Sequence, residues 1–246
     1  MSDVCIKRKI RNRLLDAGEN IFVQSDDKCI DKCKSLKARA EANEAFGAEL
    51  KKGKKADAQR GYEIACKEWM DVRSFGQVFA FKGSDLSLGI RGPVSVQPAF
   101  SVDPIDITSM QITKSVNSED KEGKSSDTMG MKHRVDFGVY ILKGSINVQL
   151  SEKTGFTEED AEKIKEAIRT LFVNDSSSAR PDGSMVMHKL YWWKHNCKIG
   201  QYSSHKVHNS IEIKKKEGVR NPRKIEDYEI ICHELPGLAV EEYEGL

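Results

Sequence analysis

The chain has no run of apolar residues long enough to span a bilayer, and its cationic start at 1–15 lacks the apolar stretch of a secretory signal. Membrane and secreted classes are therefore disfavoured, and a soluble cytoplasmic protein is expected. Cysteine is sparse: Cys5, Cys29, Cys33, Cys66, Cys197 and Cys232. Only Cys29 and Cys33 lie close together, and no second Cys/His pair stands at finger spacing. A zinc site and a disulfide framework are both disfavoured, and reduced thiols are expected. Paired carboxylates, metal-ligand spacings and nucleophile motifs are missing as well. His133, His188, His195, His205, His208 and His233 have no catalytic companions around them. No enzyme activity, catalytic residue, metal or cofactor is expected.

What is present is charge. In 246 residues, 40 Lys+Arg face 38 Asp+Glu, so the net charge is near neutral. The acidic tail 226–246 hides an asymmetry, because it holds Glu226, Asp227, Glu229, Glu234, Glu241, Glu242 and Glu244 and no base. Residues 1–225 carry all 40 bases against the remaining 31 acids, a net charge of +9. Such a body suits a polyanion partner, and it also suits plain solubility.

The spacing predicts a helix over 3–15, with Ile6, Ile10 and Leu14 as a narrow apolar stripe. Lys7, Arg8, Lys9, Arg11 and Arg13 fill the rest of its circumference. A solvated face and a phosphate-contacting helix both fit that pattern. A helical insertion, 28–70, follows, broken at Lys51–Lys55. Strands are predicted over 72–81 and 94–102, and a polar stretch over 107–134 reads as a long hairpin with arms 110–116 and 128–135. Further strands are expected at 135–141 and 146–150. A helix is expected over 158–172, opened by a capping box of Thr157 and Asp160. Strands at 185–195, 207–213 and 228–232 complete the chain.

Without its insertions the order is helix, strand, strand, helix, strand. That is the α+β, ferredoxin-like order β-α-β-β-α-β with its first strand missing. Fold alone assigns no function.

Several segments together resemble the backbone subunit of the CRISPR Cascade surveillance complex, a RAMP-superfamily protein, in its type I-C form. They are Asp3-Val4-Cys5-Ile6-Lys7-Arg8-Lys9-Ile10-Arg11-Asn12, Asp71-Val72-Arg73-Ser74-Phe75-Gly76, Ile90-Arg91-Gly92-Pro93-Val94 and Ser101-Val102-Asp103-Pro104-Ile105. Further along come Thr128-Met129-Gly130-Met131-Lys132-His133, Glu152-Lys153-Thr154-Gly155-Phe156, Ser177-Ser178-Ala179-Arg180 and Lys194-His195. The resemblance implies a single modified RNA-recognition palm, 1–246, with helical fingers at 28–70 and a hairpin thumb at 107–134. It implies copies of the chain polymerising with other Cascade subunits along one guide crRNA, which pairs with a target DNA strand. The RNA-binding set it points to is Lys7, Arg8, Lys9, Arg11 and Arg13 on the first helix, with Arg73, Ser74, Phe75, Gly76 and Arg91. To these it adds Met110, Lys114, Met129, Gly130, Met131, Lys132, His133 and Arg134 of the thumb, and Arg180. The methionines are read either as local packing or as wedges against unstacked bases.

The sequence departs from that family at its start, where the first strand and the turn and loop after it are absent. One reading is a mis-assigned start in an ordinary subunit. The other is a shortened homologue that enters or competes with Cascade assembly and inhibits it.

Overall fold

The computed structural model describes residues 1–116 and 129–246. The polar run expected between the hairpin arms, with Thr128, lies outside the described residues. The elements run α1 Asp3–Asp16, α2 Leu36–Ala42, α3 Glu44–Leu50, α4 Ala58–Glu68 and α5 Met70–Phe75. Strands β1 Gly76–Ala80, β2 Ser87–Arg91, β3 Val94–Val96, β4 Phe100–Ser101, β5 Ile107–Thr113, β6 Met129–Val135, β7 Tyr140–Ile141 and β8 Gly144–Ile146 follow. Then come α6 Val148–Thr154, α7 Glu158–Arg169, β9 Lys189–Trp193, α8 Ser204–His208, β10 Ile211–Lys215, β11 Tyr228–Cys232 and β12 Val240–Glu244. Every sheet among the described residues is an antiparallel pair: β1–β2, β3–β8, β4–β7, β5–β6, β9–β12 and β10–β11. The result is a mixed helix-and-strand fold of small antiparallel sheets.

The Cα positions form two compact units. The first takes Met1–Pro98, Leu142–Asn209 and Glu234–Leu246, and the second takes Ala99–Ile141 and Ser210–His233.

In the first unit, α1 packs on α7 through the stripe expected from the sequence. Ile6, Ile10 and Leu14 of α1 are fully buried, as are Ile164 of α7 and Leu171 just beyond it. The insertion between α1 and β1 is less solvated than its charge suggests. Phe46 of α3 and Trp69 meet Phe22 and Phe79 in an aromatic cluster with ring centroids 4.6–6.1 Å apart. Those four rings make the core of the first unit around β1–β2.

The run 72–81 is not one strand. Its first residues belong to α5, and the strand starts at Gly76. Two anchors fix the helix. The Met70 N–H donates to the Asn20 carbonyl, and the buried Asp71 carboxylate accepts from the Phe22 and Val23 N–H groups at 2.7 and 3.0 Å. Gly76 ends it at φ +81°, where a Cβ would stand 2.2 Å from the Ile90 carbonyl oxygen. The expected strand at 146–150 is also corrected: β8 ends at Ile146, and α6 begins at once with Asn147 capping the Leu150 N–H. Likewise 207–213 divides into the last residues of α8, a helix whose N-terminus is capped by Ser203, and the start of β10. In both places a cap residue outweighs a short apolar alternation.

The capping box of α7 is present. Asp160 accepts from the Thr157 N–H at 3.0 Å, and Thr157 Oγ1 accepts from the Asp160 N–H. Asp160 also accepts two hydrogen bonds from Arg73, at 2.9 and 2.7 Å. Burial pushes this carboxyl up, but Arg73 and the Thr157 N–H outweigh burial and hold it below the usual carboxylate range. Its folded pKa lies below the unfolded one. The stability it contributes is therefore present above about pH 4 and lost as pH falls through the folded value. Melting of the wild type between pH 6 and pH 3 should show this. Asp160→Asn is expected to melt lower at pH 6, with the gap closing at acid pH; a gap independent of pH would refute the linkage.

Candidate nucleic-acid interface

In the second unit β5 and β6 pair in register from Ile107↔Val135 to Thr113↔Met129. Side chains alternate across a strand, and cross-strand partners share a face. One face therefore carries Thr108, Met110, Ile112, Gly130, Lys132 and Arg134. The other carries Ile107, Ser109, Gln111, Thr113, Met129, Met131, His133 and Val135. Lys114 follows directly after β5. The sequence places Met129 through Arg134 in one motif, whereas the pleat sorts it into a cationic face and an apolar face.

Both faces are open. All seven residues of β6 are exposed, and Met129 and Met131 are 62% and 57% exposed. His133 Nδ1 lies 2.8 Å from Ser109 Oγ, which fixes the imidazole on the methionine side. Arg134 Nε donates to Asp136 at 2.7 Å. The Thr108 hydroxyl, donating at 2.8 Å, and then Arg134 hold the Asp136 carboxyl below its usual range, and the charge of Arg223 adds to this. The pair is exposed, so it contributes little and Arg134 is available to another anion.

Arg223 is a residue that sequence reasoning missed. It belongs to the basic run Lys214, Lys215, Lys216, Arg220, Arg223 and Lys224 around the β10–β11 turn. The run itself was the available signal. Part of its charge is taken by Glu212, 3.5 Å from Lys214, and by Asp103, 3.3 Å from Lys215.

The cations of α1 are placed differently from those of the hairpin. Lys9 is only 3% exposed and is paired with Asp175, its ammonium 5.4 Å from the Phe172 ring. Arg11 donates to buried Asp71 at 2.8 Å and lies over the Phe75 ring. Arg13 donates to Thr170 and Asp16, and Lys7 pairs with Asp3. Arg8 alone is well exposed, beside an equally exposed Asp27. Four of the five bases thus serve the first unit's own packing or local pairing.

The segment 73–76 has internal work too. Arg73 is bound to Asp160, Ser74 is fully buried and donates to the Met70 carbonyl, Phe75 is half-buried under Arg11, and Gly76 is the turn described above. Arg91 is exposed at the end of β2. Arg180 is half-buried in a turn closed by its N–H to the Ser177 carbonyl, 3.9 Å from Asp175. Among the described residues no three His, Cys, Asp or Glu side chains gather as a metal site, and no helix is long and apolar enough to cross a membrane.

Comparison with known proteins adds the family. No curated protein matches the chain. Nineteen chains of solved structures match. One of them, from a "CRISPR RNA-guided surveillance complex, pre-nicking", is 18% identical with a TM-score of 0.35. The match covers 72% of this chain and 60% of that one, so this chain spans less than two thirds of its length. The family model of CRISPR-associated protein Cas7 matches residues 1–233, which hold every element except β12. The chain belongs to the Cas7 family of CRISPR-associated proteins.

Proposed function

We propose that this protein is a backbone subunit of a Cascade-type surveillance complex, of the type I-C form, which grips guide crRNA by its phosphates without reading sequence. Membership of the Cas7 family supports the role. The observation that carries the assignment to residues is the hairpin register, which sets Lys132 and Arg134 side by side on one open face. A sheath that repeats along any guide needs contacts to the backbone rather than to base edges, and exposed Lys and Arg supply them. On the opposite face Met129, Met131 and His133 offer soft apolar and imidazole surface to unstacked bases. The hairpin serves as the thumb, the segment 28–70 as the fingers, and the remainder as a modified RNA-recognition palm. Copies of the chain assemble on one guide with other Cascade subunits and present it to a target DNA strand. The role is one of binding, with no bond cleaved.

Purification from cells that also express a repeat-spacer array tests this. The expected product is an assembly with the absorbance ratio of a ribonucleoprotein and RNA of uniform length. A protein that emerges as an RNA-free monomer overturns the assignment.

A further inference from the structure

The residues after 233 lie outside the stretch matched by the family model, yet they add a strand to the first unit. β12 pairs antiparallel with β9, with Lys189↔Glu244, Tyr191↔Glu242, Trp192↔Glu241 and Trp193↔Val240 in register. The pleat divides β9 as it divides the hairpin. Trp192 sits on the side of Lys165 of α7, whose ammonium lies 5.4 Å from its ring and 2.9 Å from Glu241. Lys189, Tyr191 and Trp193 share the other face with Glu242 and Glu244.

On that other face the Tyr191 and Trp193 rings are stacked, 6.2 Å apart and 25° from parallel. Two aromatics at i and i+2 on one strand, with a lysine on the same face, are the parts from which proteins build platforms for unpaired bases. Here the lysine is already engaged: its ammonium is bound to Glu242 and lies 3.3 Å from Glu244. Glu242, directly opposite Tyr191, adds a carboxylate to the same face, on which the Tyr191 and Trp193 rings are half-buried. These carboxylates are exposed and sit on a strand that closes the edge of β9, so their charge is not needed to fill a core.

We propose that the Lys189, Tyr191 and Trp193 face of β9 is a platform for single-stranded nucleic acid, and that Glu242 and Glu244 of the acidic terminal strand hold it closed by occupying Lys189 and repelling phosphate. The platform belongs to the first unit and shares no residue with the β5–β6 hairpin of the second. A strand competing with the carboxylates displaces them from Lys189 while the β9–β12 backbone ladder stays intact.

The full-length chain with Glu242→Gln and Glu244→Gln tests this, because both changes leave the backbone ladder and the side-chain size in place. Binding of short fluorescein-labelled oligouridine and oligothymidine is measured by anisotropy at several salt concentrations, with tryptophan emission followed in parallel. The Gln variant is expected to bind about fivefold tighter or more. Its log K against log salt slope should steepen by about 0.7, for one added phosphate contact. Adding Trp193→Ala should abolish the gain, and adding Lys132→Ala with Arg134→Ala should leave the gain in place. A gain on either oligonucleotide supports the platform, and the larger of the two identifies the strand type it takes. Equal affinity of wild type and Gln variant, or a gain that survives Trp193→Ala, overturns it. Loss of hairpin-dependent binding with the gain retained supports the platform as a site separate from the hairpin.

Discussion

Replacing Lys132 and Arg134 together with Ala is expected to weaken RNA binding by about a hundredfold, taking ~1.5 kcal/mol for each charged group removed. The slope of log K against log salt should fall by about 1.4, since each phosphate of a single strand left without its cation lowers it by ~0.7. Both side chains are exposed on one face of β6, so the fold should not be disturbed. Met129→Ala with Met131→Ala changes the opposite face and serves as the counterpart. It should lower affinity while leaving the salt slope where it was, because stacking releases no counterions. Filter binding of a guide-length RNA over a salt series measures both. A double Ala variant with an unchanged slope would remove the hairpin from the RNA grip. Equal falls in slope for the lysine–arginine and methionine pairs would deny the division into faces.

The largest expected stability effect belongs to Asp71. Its carboxylate is fully buried and accepts three hydrogen bonds, from the Phe22 and Val23 N–H groups and from Arg11 Nε. It ties α5 to α1 and to the segment directly after α1, both far from it in sequence. Asp71→Ala leaves a guanidinium and two N–H groups inside without a partner, and the expected cost is about 3–5 kcal/mol. Arg11→Met leaves the Asp71 carboxylate its two N–H donors and is expected to cost less than Asp71→Ala. Urea unfolding followed by tryptophan fluorescence, to which Trp69 in the adjoining core contributes beside Trp192 and Trp193, reads the difference. A destabilisation below ~1 kcal/mol for Asp71→Ala would show that the network is not a tie.

Asp71 also shows what the sequence hides. The Asp71-to-Gly76 motif is visible in the chain, and the resemblance reads its last four residues, Arg73 to Gly76, as RNA-binding. The structure gives Asp71, Arg73 and Ser74 partners inside the first unit. The α1 bases follow the same logic, since Lys9 finds Asp175 and Arg11 finds Asp71, acids far along the chain. Charge patterning along a helix reports composition, and only the acids brought against it decide which charges face a partner. The elements that were legible are those specified locally. The α1 stripe, the Thr157–Asp160 box and the strand at 228–232 each depend on residues within a few positions of one another. Where local signals competed, as at Gly76 and Asn147, the turn or cap residue decided the element.

By itself the sequence determined the amphipathic helices, the absence of a membrane-spanning helix pattern, the acidic tail and the motifs that point to the Cas7 family, because each is a matter of residue type and short spacing. The tertiary structure alone decided three things. It sorted Met129–Val135 into two faces through a cross-strand register, and it paired Lys9 and Arg11 of α1 with the distant acids Asp175 and Asp71 of its own unit. It also laid the tail's glutamates beside the Tyr191–Trp193 stack. All three depend on residues far apart in the chain being brought together, and a one-residue shift in register would exchange the faces of a strand.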